Sequence, residues 1–279
     1  IIWTLAIILP FILLFMSSIT DENTLVANGY SFFPKKFSLA SYSYIIKSGG
    51  QILKAYGVSI GVTVVGTLLN VLLSALMAYP LSVKNLPGRN VMMFFVFFTM
   101  LFNGGIVPSY IMWTGTFHIK DTIFAQLLPN FLLSAWNVMM IRTYFTTSIP
   151  DGLYEAAEID GASQFTIFWK IVLPLGKPIL VTMGTFAGLA YWNDWTNGLY
   201  YIVKNTGLYN VQNLLNQMVQ NIQFLTQSSN SNVTAAASTI PATGIQMAIA
   251  FVAILPIMLI FPSFQKYYAK GIALGAVKG

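Results

Sequence analysis

Only eight of the 279 residues are acidic, and four of those, Asp151, Glu155, Glu158 and Asp160, fall within ten positions. Carboxylates grouped this way can do acid–base work, hold a cation, or present charge to another protein. Asp151 follows Pro150 and can cap a helix. Glu155-Ala156-Ala157-Glu158 is a run of good helix formers. Leu153, Ala156, Ala157 and Asp160 span about two turns, and the small alanines permit close approach by another surface. Gly161 supplies a position where the chain can turn sharply. A second, more apolar helix is expected from Ser163 to near Leu173-Pro174. Pattern alone fits an ordinary amphipathic surface loop as well as it fits a helix-turn-helix docking element.

Asp194 is the only acidic residue expected inside an apolar span. An ionised side chain at mid-bilayer costs about 2.5–3.5 kcal/mol on insertion scales, so it should face protein or a water-filled cavity. Tyr191, Trp192, Asn193, Trp195 and Asn197 surround it with hydrogen-bonding groups and aromatic faces. One reading places Tyr191, Asn193, Asp194 and Asn197 on a translocation path. The other has Asp194 and Asn193 satisfying nearby helix backbone, with the aromatics as interface anchors. Asn103, followed by Gly104 and Gly105, admits the same two readings, a pathway residue or a polar cap at a helix break. His118 and Lys120 are expected to be solvated.

Several chemistries are excluded. There is no cysteine and a single histidine, which leaves neither disulfides nor a His/Cys metal cluster. No G-x-x-x-x-G-K-[ST] phosphate loop is present, so the chain itself should not hydrolyse ATP. G-x-S-x-G and H-E-x-x-H are absent too. No enzyme activity and no bound cofactor are expected of this chain.

The elements that position these residues follow from composition. Hydrophobic residues make up 56% of the chain and charged ones 8%, against roughly 25% charged in soluble domains. Mean hydropathy is +0.69. The solvent for most of the surface is therefore lipid. Six segments are apolar enough to span a bilayer, roughly 1–20, 56–80, 91–114, 122–146, 178–203 and 242–262. Asn103-Gly104-Gly105 and Pro108 should bend the third, and residues 109–121 are expected to return toward the outer interface. The fold expected is all-α, a polytopic bundle of six spans in a single membrane domain, residues 1–279.

Eight basic residues fall on one side (Lys84, Arg89, Arg142, Lys170, Lys177, Lys266, Lys270, Lys278) and six on the other. The bias places loop 147–177 and tail 263–279 in the cytoplasm, with loops 21–55 and 204–241 outside. The net charge of +6 forms no basic stripe, which argues against nucleic acid. The sequence opens at Ile1 inside an apolar run without a Met. A native N-terminus is expected to precede it, and the first run reads as a retained helix rather than a signal peptide.

Glu155, Ala156, Ala157, Gly161, Ile171, Leu173 and Pro174 keep every spacing of the EAA motif, and the stretch resembles that motif of ABC importer permeases. The resemblance extends along the chain, through Leu101-Phe102-Asn103-Gly104-Gly105, Tyr191-Trp192-Asn193-Asp194-Trp195 and the tail. It is to the carbohydrate-uptake branch, relatives of the second maltose-permease subunit and of lipoprotein-linked sugar permeases of Gram-positive bacteria. It implies a type I importer permease fold in the bacterial cytoplasmic membrane. It implies four partners: a second homologous permease in a heterodimer, an ATPase dimer that carries ATP and Mg, an extracellular solute-binding protein and a carbohydrate. Glu155 would give a charged contact to the ATPase, Ala156 and Ala157 close packing, and Gly161 the turn. Gly275, Ala276, Val277, Lys278 and Gly279 would reach the ATPase interface. The polar-aromatic run at 191–197 suits sugar hydroxyls and ring faces. A non-sugar solute remains open, and an ion-coupled transporter is disfavoured because such proteins often carry several intramembrane ionisable residues.

Overall fold

A computed structural model describes residues 2–47, 49–227 and 243–259. The expected interface tail at Gly275–Gly279 lies outside the described residues, as does 228–241 of the second outer loop. Regular structure among the described residues is helical, with one isolated bridge between Thr20 and Phe37.

The chain opens with α1 (Ile2–Ser18), α2 (Glu22–Asn28) and α3 (Ala40–Lys47). The long α4 (Gly49–Ser82) follows, then α5 (Arg89–Leu101) and α6 (Ile106–Ile111), the last extended by a π-helical turn to Thr116. Next come α7 (Phe124–Leu127), α8 (Ala135–Ser148) and α9 (Asp151–Ile159). Then α10 (Gln164–Ile167) continues through a π-helical turn (Phe168–Val172) into α11 (Leu173–Leu175). The chain proceeds through α12 (Lys177–Trp192), α13 (Thr196–Tyr201), α14 (Val211–Gln227) and α15 (Thr243–Leu259).

At 1.5 Å per residue, the 34 residues of α4 reach about 51 Å, well beyond a hydrocarbon core of about 30 Å. Among the described residues, by length and composition, α4 alone can cross a membrane as one helix, or up to three spans exist if each bent pair counts as one. One bent pair, α5 with α6, turns by 108°. Gly105 sits between them at φ +88°, a backbone state open to glycine and closed to most residues. The other pair, α10–α11 with α12, bends by 78° at Gly176, between Pro174 and Pro178. Ala6–Ser18 and Thr243–Leu259 are shorter apolar helices. In α8 and α12, Thr143, Thr146, Thr182 and Thr185 each donate to the carbonyl four residues back, which satisfies their hydroxyls within the helix.

The segment 122–146, expected as one span, is not a continuous helix. Turns occupy 128–134 between α7 and α8. Pro129 cannot donate to a helical ladder, and Asn130 takes φ +68°.

Two compact units divide the chain. The first holds the described parts of 1–59 and 205–260. Its core joins Ile45, Ile52 and Ala55 to Val211, Leu214, Ile245, Ala248, Ile249 and Ala253. Here Glu22 accepts the free N–H groups of Thr243 and Gly244, 2.9 and 2.8 Å away, at the start of α15. A carboxylate on these two orphan donors also meets the positive end of the helix dipole. Removing it with Glu22→Ala is expected to cost about 1.5–3 kcal/mol in denaturation of the solubilised protein. Glu22→Gln, with one oxygen left to accept, should fall between. An unchanged midpoint for both would show that α15 needs no cap.

The second unit holds 60–204 among the described residues. Its core runs from α4 (Ala75, Ala78, Tyr79, Leu81) through α8 (Val138, Ile141, Phe145) to Ala157, Ile167, Phe168 and Val172. The α9–α10 hairpin thus shares one apolar core with membrane-type helices, and the burial that forms that core ties the two together.

Candidate functional site

The hairpin is built from its turn outward. Gly161 has φ +75°. Its N–H bonds the Glu158 carbonyl at 3.0 Å, and the Ala162 N–H bonds the Ala157 carbonyl at 2.9 Å. This pair of bonds is a Schellman motif, which satisfies the last carbonyls of α9 and demands a left-handed residue at the position after the cap. Two residues later Ser163 caps α10, its hydroxyl oxygen accepting the Thr166 N–H at 3.2 Å. Only Ala162 separates one device from the other, so the arms have almost no slack.

Asp151 does not cap α9. Pro150 occupies the cap position without a side-chain bond, and Asp151, one residue inside, pairs with Lys84. Tyr154, beside this pair, is half-buried; burial first and then the Asp151 charge push its phenol above the ordinary range. The ring is therefore a neutral packing group.

Glu155 and Ala156 face outward, whereas Ala157 is buried in the chain's own core. Its small side chain packs within this chain's own core. Ile171 and Leu173 are half-buried against the same core, and Pro174 is exposed. The outward face also carries apolar residues singled out by nothing in the motif. Ile159 is 86% exposed and Phe165 66%, with Leu153 and Trp169 also exposed. Exposed apolar groups this large on a segment flanked by carboxylates mark a contact surface. The signal available was simple: apolar side chains in a loop expected to lie outside lipid.

A second cluster surrounds the break at 128–134. Tyr191 donates its hydroxyl to the Leu127 carbonyl at 2.8 Å. The Asn197 amide donates to the Pro129 carbonyl at 3.1 Å, and the Asn70 amide to the Phe131 carbonyl at 2.6 Å. Three alternate carbonyls freed by the broken helix each find a side-chain donor. Broken backbone at membrane depth is tolerated when such groups are satisfied by protein. Asn137 donates to the Asn70 Oδ1 at 2.7 Å and completes the network. The Tyr191 ring lies directly on Gly66, where a Cβ would collide with it.

Asp194 is buried, and its Oδ1 accepts the Thr196 N–H at 3.0 Å, the Thr196 hydroxyl at 2.7 Å and the Asn197 N–H at 3.2 Å. It caps α13. The Asn103 Oδ1 likewise accepts the Gly105 N–H at 2.8 Å, at the start of α6. Among the candidate pathway residues, Tyr191 and Asn197 are buried, while Asn193 and Asn103 are exposed. Trp195 is exposed beside Asn193. Asp194→Asn keeps the accepting oxygen and is expected to leave uptake and assembly near normal. Asp194→Ala should cost about 0.5–2 kcal/mol, the usual worth of an N-cap. A thermal-shift series on the solubilised protein checks the order. Uptake lost in a well-assembled Asp194→Asn protein would instead place the charge in transport.

Residues 55–274 match the family described as the binding-protein-dependent transport system inner membrane component, and the chain belongs to it. It is a membrane permease subunit of an ABC importer rather than an enzyme; a separate ATPase and a solute-binding protein are its partners as a class. Protein LplC of Bacillus subtilis is 36% identical over 98% of this chain and 90% of its own length. The polygalacturonan/rhamnogalacturonan transport system permease protein YtcP of the same species is 37% identical over 99% and 94%. The arabinooligosaccharides transport system permease protein AraQ of Halalkalibacterium halodurans is 27% identical over 98% and 91%. A crystal structure of a bacterial ABC transporter involved in the import of the acidic polysaccharide alginate aligns with TM-score 0.80. That alignment has 27% identity and covers 96% of this chain and 92% of the other.

Proposed function

We propose that this chain is one of two homologous permeases of a carbohydrate importer, and that the α9–α10 hairpin receives the motion of a partner ATPase that binds ATP and Mg. The observation that carries the coupling role is the hairpin. Its two short helices are locked by the Gly161 turn and present Ile159 and Phe165 outward while Ala157 faces the core. Glu155 and Ala156 lie on the outward side and would meet the ATPase. The carbohydrate assignment draws support from YtcP and AraQ, whose names specify polygalacturonan/rhamnogalacturonan and arabinooligosaccharides. Asn193 and Trp195, exposed at the end of α12, have the chemistry to meet a sugar.

The membrane path is six spans. Ala6–Ser18, α4, α5–α6, the broken α7–α8, α12–α13 and α15 are the six apolar segments in order. Loop 147–177 then faces the cytoplasm, and loops 21–55 and 204–241 face the binding protein. Alternating access follows if ATPase closure drives the hairpin and its attached helices between two arrangements.

The test is co-expression with an ATPase and a second permease from the same gene cluster. The expected result is a stable complex whose vesicles take up labelled trigalacturonate or arabinotriose only with ATP and the binding protein. A complex that forms and moves a peptide or phosphate instead would overturn the carbohydrate assignment alone. Failure to bind any ATPase would overturn the coupling role.

A further inference from the structure

We propose that Tyr79, Gln164 and Glu158 form a latch that makes the hairpin and helix α4 move as one body, on the reading that the hairpin receives ATPase motion. Tyr79 lies in the last turn of α4 and is 8% exposed. Its hydroxyl donates to Gln164 Oε1 at 2.6 Å. The same amide donates through Nε2 to Glu158 Oε1 at 2.8 Å. Gln164 opens α10 and Glu158 stands near the end of α9. One side chain therefore ties both arms across the Gly161 turn and binds them to α4. An amide is suited to the middle position because it accepts at one end and donates at the other. The chain ends on a carboxylate, which strengthens the bonds leading to it.

The Tyr79 ring adds a second tie to each arm. It stacks on Tyr154 of α9, with centroids 6.4 Å apart, and tilts against Phe168, just beyond α10, at 5.4 Å. The Arg142 Nε donates to the Leu81 carbonyl at 3.1 Å and holds the end of α4 to α8. The Lys84–Asp151 pair is exposed on both sides and cannot substitute, since surface pairs contribute little. Burial of Ala157, Ile167 and Phe168 would keep the hairpin attached without the latch, but apolar contact is non-directional and lets surfaces slide. Hydrogen bonds fix orientation. The latch is thus a positioning device: its loss should spare assembly and impair coupling.

The experiment uses the complete complex in lipid nanodiscs and vesicles. The chain has no cysteine, so Asn85→Cys and Asp160→Cys, both at exposed positions, can carry a pair of spin labels. Tyr79→Phe keeps the ring contacts and removes one O–H. It should retain the ATPase, broaden the label distance distribution, and raise ATP hydrolysed per trigalacturonate or arabinotriose taken up by about two- to tenfold. Gln164→Leu should do the same, and the double variant should be no worse than Gln164→Leu, which already removes the bond lost in Tyr79→Phe along with the one to Glu158. Glu158→Gln keeps an accepting oxygen but loses the charge, and should show the same changes more weakly than Gln164→Leu. Wild-type distances in Tyr79→Phe and Gln164→Leu, or effects that add, would overturn the latch while the transport reading stands. The distance readout needs no sugar. A wild-type complex that binds no ATPase would remove the coupling role and the latch together.

Discussion

Gly161→Val is expected to abolish ATP-driven uptake, while Gly161→Asn retains most of it. Bulk is not the reason. A Cβ added at Gly161 would meet nothing within 4 Å. The obstacle is the backbone, held at φ +75°. That region costs an ordinary L-residue about 1–2 kcal/mol, and a β-branched side chain fits it worst. Asparagine tolerates it and is the second choice at this position in helix C-caps. Valine would push φ negative and break the bonds from Gly161 and Ala162 to the Glu158 and Ala157 carbonyls. With a single residue between the end of that turn and the Ser163 cap, the second arm would then swing. Ile159 and Phe165, one on each arm, would no longer present one surface. Co-purification with the ATPase and uptake should therefore fall in the order Gly, Asn, Ala, Val. Normal transport by an assembled Gly161→Val complex would detach the turn from coupling.

The hairpin was largely legible because its determinants are local. A left-handed glycine, a serine cap and a run of helix formers act within three or four residues. Spacing could not say which way Ala157 points, since that depends on α4 and α8 packing beneath it. Nor could it reveal Tyr79, 85 residues before Gln164 in the chain. The break at 128–134 was hidden for another reason. Hydropathy averaged over 122–146 stays high, and only Pro129-Asn130 marks the interruption. The few charges were easier to understand once placed. Glu22, Asp121 and Asp194 all accept backbone N–H groups, Asp121 those of Val203 and Lys204 at 2.7 Å each. At Asp194, inside an apolar segment, an unpaired N–H would have no water to turn to, and the carboxylate supplies the acceptor where α13 begins. That logic favours a structural account of an intramembrane acid before a transport one.

Asn70→Leu should be among the most damaging substitutions away from the hairpin. The side chain is 2% exposed and works at both ends: Nδ2 donates to the Phe131 carbonyl, and Oδ1 accepts the Asn137 amide. Leucine has the same branching and is somewhat larger, so no cavity is left, and the loss reflects the polar groups left behind together with some crowding. Two buried groups would lose their partner, at about 1–3 kcal/mol each. The Phe131 carbonyl is the more serious, because the helix that would have satisfied it is interrupted at Pro129. Asn137→Leu removes only the outer donor and should cost less. The double variant replaces both partners by apolar groups and should cost less than the sum of the singles, since the pair no longer has to be desolvated unpaired. Thermal denaturation in detergent, read alongside expression in the membrane, checks the series. If Asn70→Leu matches Asn137→Leu, the break at 128–134 does not depend on its side-chain caps, and Tyr191→Phe and Asn197→Leu, which uncap Leu127 and Pro129, should then be silent as well.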